Sequence, residues 1–264
     1  MKNTLPKLGL LLAAAWLAAS PVAAQTAEER GLAIAVETDR RDTGFGDFSV
    51  EMGMLLRNAQ GEESQRTMRT RIMEVDGDGD KSMIVFDEPR DVQGTALLTY
   101  THKSEPDDQW LYLPALKRVK RIASRNKSGP FMGSEFAYED LTSQEVEKYT
   151  YKFVEETQID GVPMFLIERD PVDKYSGYSR QLVWINQAEY RPERIEFYDR
   201  KNALLKTLVF RGYQQYLDQY WRAAEMFMEN HQTGKSTLLS WNNYQFRNGF
   251  GEADFRKNAL KRAR

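Results

Sequence analysis

Residues 48–54, Phe48-Ser49-Val50-Glu51-Met52-Gly53-Met54, alternate large apolar side chains with small or polar ones. Successive side chains of a strand point to opposite faces, so period two reads as a strand with one face on a core. The turn Asn58-Ala59-Gln60-Gly61 follows, and a second strand is expected over Ser64 to Val75. Asp76-Gly77-Asp78-Gly79 is another turn, leading into Met83–Phe86. The rhythm returns at Thr95–Thr101, Trp110–Pro114, Tyr149–Thr157, Met164–Arg169, Gln181–Ile185, Arg194–Tyr198 and Leu204–Arg211. Asp160-Gly161 and Asp199-Arg200-Lys201-Asn202 punctuate these runs, and Gln232-Thr233-Gly234-Lys235 joins two final strands. About ten to thirteen strands in an antiparallel meander predict a mainly β domain built on one curved sheet near a barrel.

Upstream of that sheet the pattern is helical. Thr26 with Glu29 fits a capping box, Leu32, Ala35 and Val36 form an apolar stripe, and Gly44 and Gly46 end the segment. Earlier still, Lys2 and Lys7 precede an apolar run from Leu8 to Ala19 and then Pro21-Val22-Ala23-Ala24. This is the layout of a secretory signal peptide over residues 1–24, cleaved after Ala24 to leave a single domain over 25–264. The run is shorter than the roughly 20 residues a spanning helix needs. An exported protein is expected, periplasmic if the host is Gram-negative.

Composition narrows the chemistry. Among 264 residues there is no cysteine, and Lys+Arg 37 nearly balances Asp+Glu 39. Without cysteine there is no disulfide framework, no thiolate nucleophile and no lipobox residue to acylate. The two histidines, His102 and His231, leave little material for a zinc or triad site. The charge balance argues against a dedicated nucleic-acid binder. No Gly-x-Ser-x-Gly elbow, His-Glu-x-x-His or phosphate-binding glycine loop is present, so no enzyme, catalytic residue, cofactor or metal is expected. Asp76-Gly77-Asp78-Gly79-Asp80 imitates the start of a calcium loop, but Lys81 stands where that loop needs glycine and Asp87 where it needs glutamate. A solvated hairpin turn explains it better.

Three further features have two readings each. Several strands carry large apolar residues on both parities: Trp110 and Tyr112 against Leu111 and Leu113, Ile195 and Phe197 against Tyr198, Leu205 and Val209 against Leu208 and Phe210. Both faces of the sheet then need cover, by helices on one side and by more core or a ligand on the other. Residues Ser124 to Glu145 break the strand rhythm with Gly129, Pro130 and Gly133, then a stretch of helical character around Ser134–Leu141. The basic cluster Lys117-Arg118-Val119-Lys120-Arg121-Ile122, continuing to Arg125 and Lys127, suits either an anionic partner or a charged strand blunting a sheet edge.

Two blocks carry a family resemblance: 110–119, Trp-Leu-Tyr-Leu-Pro-Ala-Leu-Lys-Arg-Val, and 128–141, Ser-Gly-Pro-Phe-Met-Gly-Ser-Glu-Phe-Ala-Tyr-Glu-Asp-Leu. Asp80-Lys81-Ser82 and the run from Asp91 to Leu98 fit the same pattern. Together they are similar to the outer-membrane lipoprotein-sorting protein family, related to the periplasmic LolA/LolB-like carriers of the lipoprotein localisation system. The resemblance implies an unclosed antiparallel half-barrel whose concave face is plugged by helices. It also implies that acyl chains of a lipoprotein or another lipid occupy the space between. The implied partner is an inner-membrane transporter of the resistance-nodulation-division (RND) superfamily, served by a monomeric shuttle. On this reading Phe131, Met132, Phe136 and Tyr138 line the lid side. Trp110, Tyr112, Trp184, Phe197 and Trp241 line the sheet side, and Arg118, Lys120, Arg121 and Arg125 contact headgroups or the transporter. A strand arginine latches the lid in the classical carrier, and Arg69 or Arg71 are the candidates here. The competing reading is an envelope-stress or lipid sensor that signals through a protein partner.

Overall fold

A computed structural model describes residues 25–262; the leader expected over 1–24 lies outside them. Helix α1 (Ala27–Asp42) opens the fold. Six strands then step outward one by one: β1 (Asp47–Arg57), β2 (Glu63–Met73), β3 (Lys81–Glu88), β4 (Ala96–Tyr100), β5 (Asp108–Leu113) and β6 (Arg118–Ile122). The chain next crosses to the far edge and steps back through β7 (Tyr149–Ile159), β8 (Val162–Pro171), β9 (Tyr178–Asn186), β10 (Pro192–Asp199) and β11 (Leu204–Arg211). A small hairpin, β12 (Gln214–Tyr216) and β13 (Tyr220–Arg222), stands apart from the sheet. Finally β14 (Glu225–Asn230) and β15 (Lys235–Phe246) complete a 13-stranded sheet of order β6-β5-β4-β3-β2-β1-β15-β14-β11-β10-β9-β8-β7. Its edges, β6 and β7, are consecutive in sequence but do not pair, so the sheet is an unclosed antiparallel half-barrel.

Short polar turns set the register. Asn58 Oδ1 accepts the backbone N–H groups of Gln60 and Glu62 at 3.0 and 2.9 Å. Asp199 Oδ1 does the same for Lys201 and Ala203 at 2.8 and 3.0 Å. These side chains stand in for backbone partners and hold the chain in a turn. The aspartate run at 76–80 links β2 to β3: Asp78 accepts the Lys103 N–H at 3.0 Å and lies 2.7 Å from His102 Nδ1.

Alternation along β1 works as read. Phe48, Val50, Met52 and Met54 are buried on the concave side while Glu51 is exposed. The double parity of β3 to β5 also has its explanation. Ile84, Phe86, Leu97 and Leu111 join the concave core. Met83, Val85, Ala96, Leu98 and Trp110 form a second core on the convex side, capped by Phe255 and Leu260 of the C-terminal segment. The Tyr100 hydroxyl donates to the Phe255 carbonyl at 2.5 Å, fastening that segment to the sheet.

Two local expectations are corrected. In α1 the capping box forms, with Thr26 and Glu29 satisfying each other's backbone, but Leu32 and Val36 are exposed. The helix instead buries Gly31, Ile34 and Ala35, because it lies on the backbone of β7. A Cβ at Gly31 would sit 2.7 Å from backbone atoms of Lys152 and Phe153, so only glycine permits that approach. The stretch around Ser134–Leu141 is not an α-helix. Gly129, Pro130 and Gly133 break the region into short 3-10 turns, with Met132 at a φ of 49°.

Candidate ligand cavity

Between the concave sheet and the crossing segment lies a cavity of about 1420 Å³. Its floor is apolar and drawn from both arms: Phe48, Val50, Met52, Ile72 and Ile84 from one, Ile167, Val183, Ile185, Ile195, Phe197, Leu208 and Phe210 from the other. Met226, Leu239 and Trp241 join them at the seam, with Trp221 from the outlying hairpin. Curvature brings these residues to one side, because every floor position falls on the inward parity of its strand.

The segment between β6 and β7 plugs one end of this space. Phe131 and Phe136 are fully buried, their backbones joined by a Phe131 N–H to Phe136 carbonyl bond of 2.7 Å. Phe131 packs at 5.7 Å from the ring of Phe86 and 5.7 Å from that of Tyr138. Polar side chains from both arms hold the plug. Arg66 on β2 donates to the Met132 carbonyl, and Gln109 on β5 donates to that of Tyr138 at 3.0 Å. From the opposite arm Lys206 donates to the Glu135 carbonyl at 2.7 Å and stands 4.0 Å from Asp140. Tyr178 donates to Asp140 at 2.9 Å, and Asn230 donates to Glu135 at 2.6 Å. Burial raises the Asp140 carboxyl above its ordinary range, and the Lys206 ammonium opposes that rise. Each partner leaves the other satisfied, which is the condition for burying such a cluster at all.

The latch therefore differs from expectation. Arg69 and Arg71 are exposed on the convex parity of β2, where Arg69 pairs with Asp87 at 2.7 Å and Arg71 lies over the ring of Phe250 at 5.4 Å. Arg66 shares the inward parity of Met68 and Thr70, so it meets the plug. Arg66→Ala should leave the Met132 carbonyl without its partner and loosen the plug, costing about 1–3 kcal/mol. Faster amide exchange over residues 129–138, with the β1–β15 amides unchanged, is the expected readout.

The other predicted residues divide. Phe136, Phe197 and Trp241 line the cavity. Phe131, Met132 and Tyr138 belong to the plug but pack into the core beside the cavity. Trp110 and Tyr112 lie on the convex side in the core under the C-terminal segment, because β5 directs Leu111 and Leu113 inward. Trp184 alternates with the inward Val183 and Ile185, and Arg194 lies over its ring at 5.0 Å. Arg118, Lys120, Arg121 and Arg125 are exposed, the first three on edge strand β6, and none borders the cavity. Arg121 forms an ion pair with Asp108. Lys206 belongs to none of the motifs above; its signal in the sequence is a single lysine at a core parity inside Leu204-Leu205-Lys206-Thr207-Leu208.

Where the later part of the same crossing segment, Glu145 included, meets α1 and the turn before β3, the mouth of the cavity is acidic. Asp39 and Asp42 of α1, Glu74, Asp76, Asp78, Asp80, Glu145, Glu189 and Asp218 border it, against Arg40, Arg41, Lys103, Arg191 and Arg222. Arg40 and Arg41 are paired with Glu37, Arg191 with Glu189 and Glu193, and Arg222 with Asp42. Burial, reinforced by the charge of Glu145, pushes Asp80 up to about 7. Glu145 and Asp39 are likewise raised, chiefly by burial.

An unclosed half-barrel enclosing an apolar, plugged cavity defines a LolA-like architecture. A LolA superfamily protein from Nitrosomonas europaea shares it with a TM-score of 0.70 at 20% identity, over 87% of this chain and 98% of that one. A putative outer membrane lipoprotein-sorting protein domain from Vibrio parahaemolyticus is 58% identical over 89% of this chain and 99% of that one, with a TM-score of 0.87. A DUF1329 family protein from Desulfovibrio piger is 32% identical over 89% and 99%, with a TM-score of 0.85. A family model described as "-like: Uncharacterized protein" matches residues 78–262. No curated protein matches the sequence. The chain belongs to the family of the outer membrane lipoprotein-sorting protein domain, and it shares the LolA-like fold.

Proposed function

We propose that this protein is a periplasmic carrier that takes up acyl chains of a lipoprotein or lipid and shuttles them between an inner-membrane RND-type transporter and the outer membrane. The observation carrying this reading is the apolar cavity of about 1420 Å³ between sheet and plug. Ordinary small-molecule pockets occupy about 300–1,000 Å³. Burying an acyl chain yields about 0.8 kcal/mol per CH₂, so a chain of about sixteen carbons gains on the order of 10 kcal/mol against water. Enclosure on that scale lets a chain leave a membrane, and a plug held by separable polar contacts gives it a way out. The identities of the Vibrio and Desulfovibrio relatives support the family-level part of this reading. Arg118, Lys120, Arg121 and Arg125 then serve a contact outside the cavity, with a membrane surface or the transporter.

Native mass spectrometry of protein isolated from the periplasm tests the proposal. Co-purifying lipid, removed by organic extraction and replaced by a fluorescent fatty-acid probe, is the expected result. Protein that carries no lipid and binds no acyl probe would overturn it.

A further inference from the structure

The cavity mouth holds a carboxylate, Glu145, that the charges of Lys148 and Lys103 reach only at a distance. Glu145 is 8% exposed and lines the cavity. Among the described residues its side chain has no hydrogen-bond partner and no cation within 4.0 Å. Its oxygens are not among the buried polar atoms sealed off without a partner, so the group is open to the cavity. Asp80 and Asp39 border the same mouth; among the described residues the Asp80 side chain is held only by the Ser143 hydroxyl, at 3.1 Å. The neighbouring Lys148 is engaged by Asp107 at 2.5 Å, and Lys103 also borders the mouth without an ion pair among the described residues.

Burying a carboxylate such as Glu145 without a direct partner costs several kcal/mol unless a counter-charge arrives. Among the described residues no three carboxylate or histidine groups stand close enough to hold a metal ion. The carboxylates act on one another through their charge, so the mouth attracts a cation by its summed negative field rather than by coordination. The adjoining floor is apolar, so the cation arrives on a molecule with a hydrocarbon part.

We infer that the cavity mouth is a binding site for the ammonium group of an amine-bearing amphiphile, facing Glu145, Asp80 and Asp39 while its chain occupies the apolar floor. This rests on the acyl-carrier reading and adds the sign of the headgroup. Lys103 opposes the incoming charge, so it sets a limit on affinity that its removal relieves.

Three amphiphiles with one sixteen-carbon chain separate the two ideas: hexadecylamine, hexadecanol and palmitate. Binding is read calorimetrically, with the change in emission of the cavity tryptophans Trp221 and Trp241 as water leaves them as a second signal, at pH 8 and below the concentration at which each probe aggregates. Hexadecylamine is expected to bind about tenfold or more tightly than hexadecanol, with palmitate weakest. Glu145→Gln, which removes a charge but no hydrogen bond of the fold, should reduce that preference, and Lys103→Gln should increase it. Palmitate binding as tightly as the amine, or an unchanged preference in Glu145→Gln, would overturn the inference while leaving the carrier reading intact. Failure of all three, hexadecanol included, would overturn the carrier reading and this inference with it.

Discussion

Trp110→Ala should lower unfolding stability by about 3–5 kcal/mol while leaving acyl-probe affinity unchanged. The indole is 5% exposed and packs 5.1 Å from the Tyr100 ring. Lys257 Nζ lies 4.1 Å from its centre, so the side chain fastens the C-terminal segment to the convex face. Removing it opens a void in a core that also contains Phe255 and Leu260. Urea denaturation gives the stability, and probe titration under native conditions gives the affinity. A loss of affinity in a protein that remains folded would show that the two faces of the sheet are coupled, contrary to the separation of their cores.

Met226→Glu is expected to have the opposite signature: acyl-probe affinity falls about 100-fold or more, and stability changes by no more than about 1 kcal/mol. Met226 is half-buried on the cavity floor, paired in register with Leu239 on β15 and Phe210 on β11, which also line it. A carboxylate there keeps its water while the cavity is empty, so folding is little affected. An entering chain would strip that water from an unpaired charge, at a cost of several kcal/mol. Unchanged probe affinity, with secondary structure intact by circular dichroism, would show that the chain binds elsewhere.

These two residues also show where sequence reasoning reaches its limit. Period two along Phe48–Met54 states that the odd and even positions face different surroundings, and β1 bears that out. It does not state which face encloses a cavity. Trp110 and Leu111 are equally apolar, yet Leu111 joins the concave core and Trp110 the convex one. The same uncertainty of side explains why Arg69 and Arg71 suggested themselves while Arg66 reaches the plug. Parity on β2 groups Arg66 with Met68 and Thr70, but only the sheet's curvature makes that group the inner one.

By itself, the sequence determined the mainly antiparallel sheet, its turns, the capped first helix and the membership signalled by residues 110–119 and 128–141. Such features depend on neighbours within a few residues: alternation, Asx turns and a capping box are all local. The tertiary structure decided the rest. It placed Lys206 beside Asp140 and Tyr178, left Glu145 open at an acidic mouth, and laid Phe255 and Leu260 over the outer face. Those outcomes join residues that are far apart in the chain. They follow from which face the curved sheet encloses, and that is a property of all thirteen strands together.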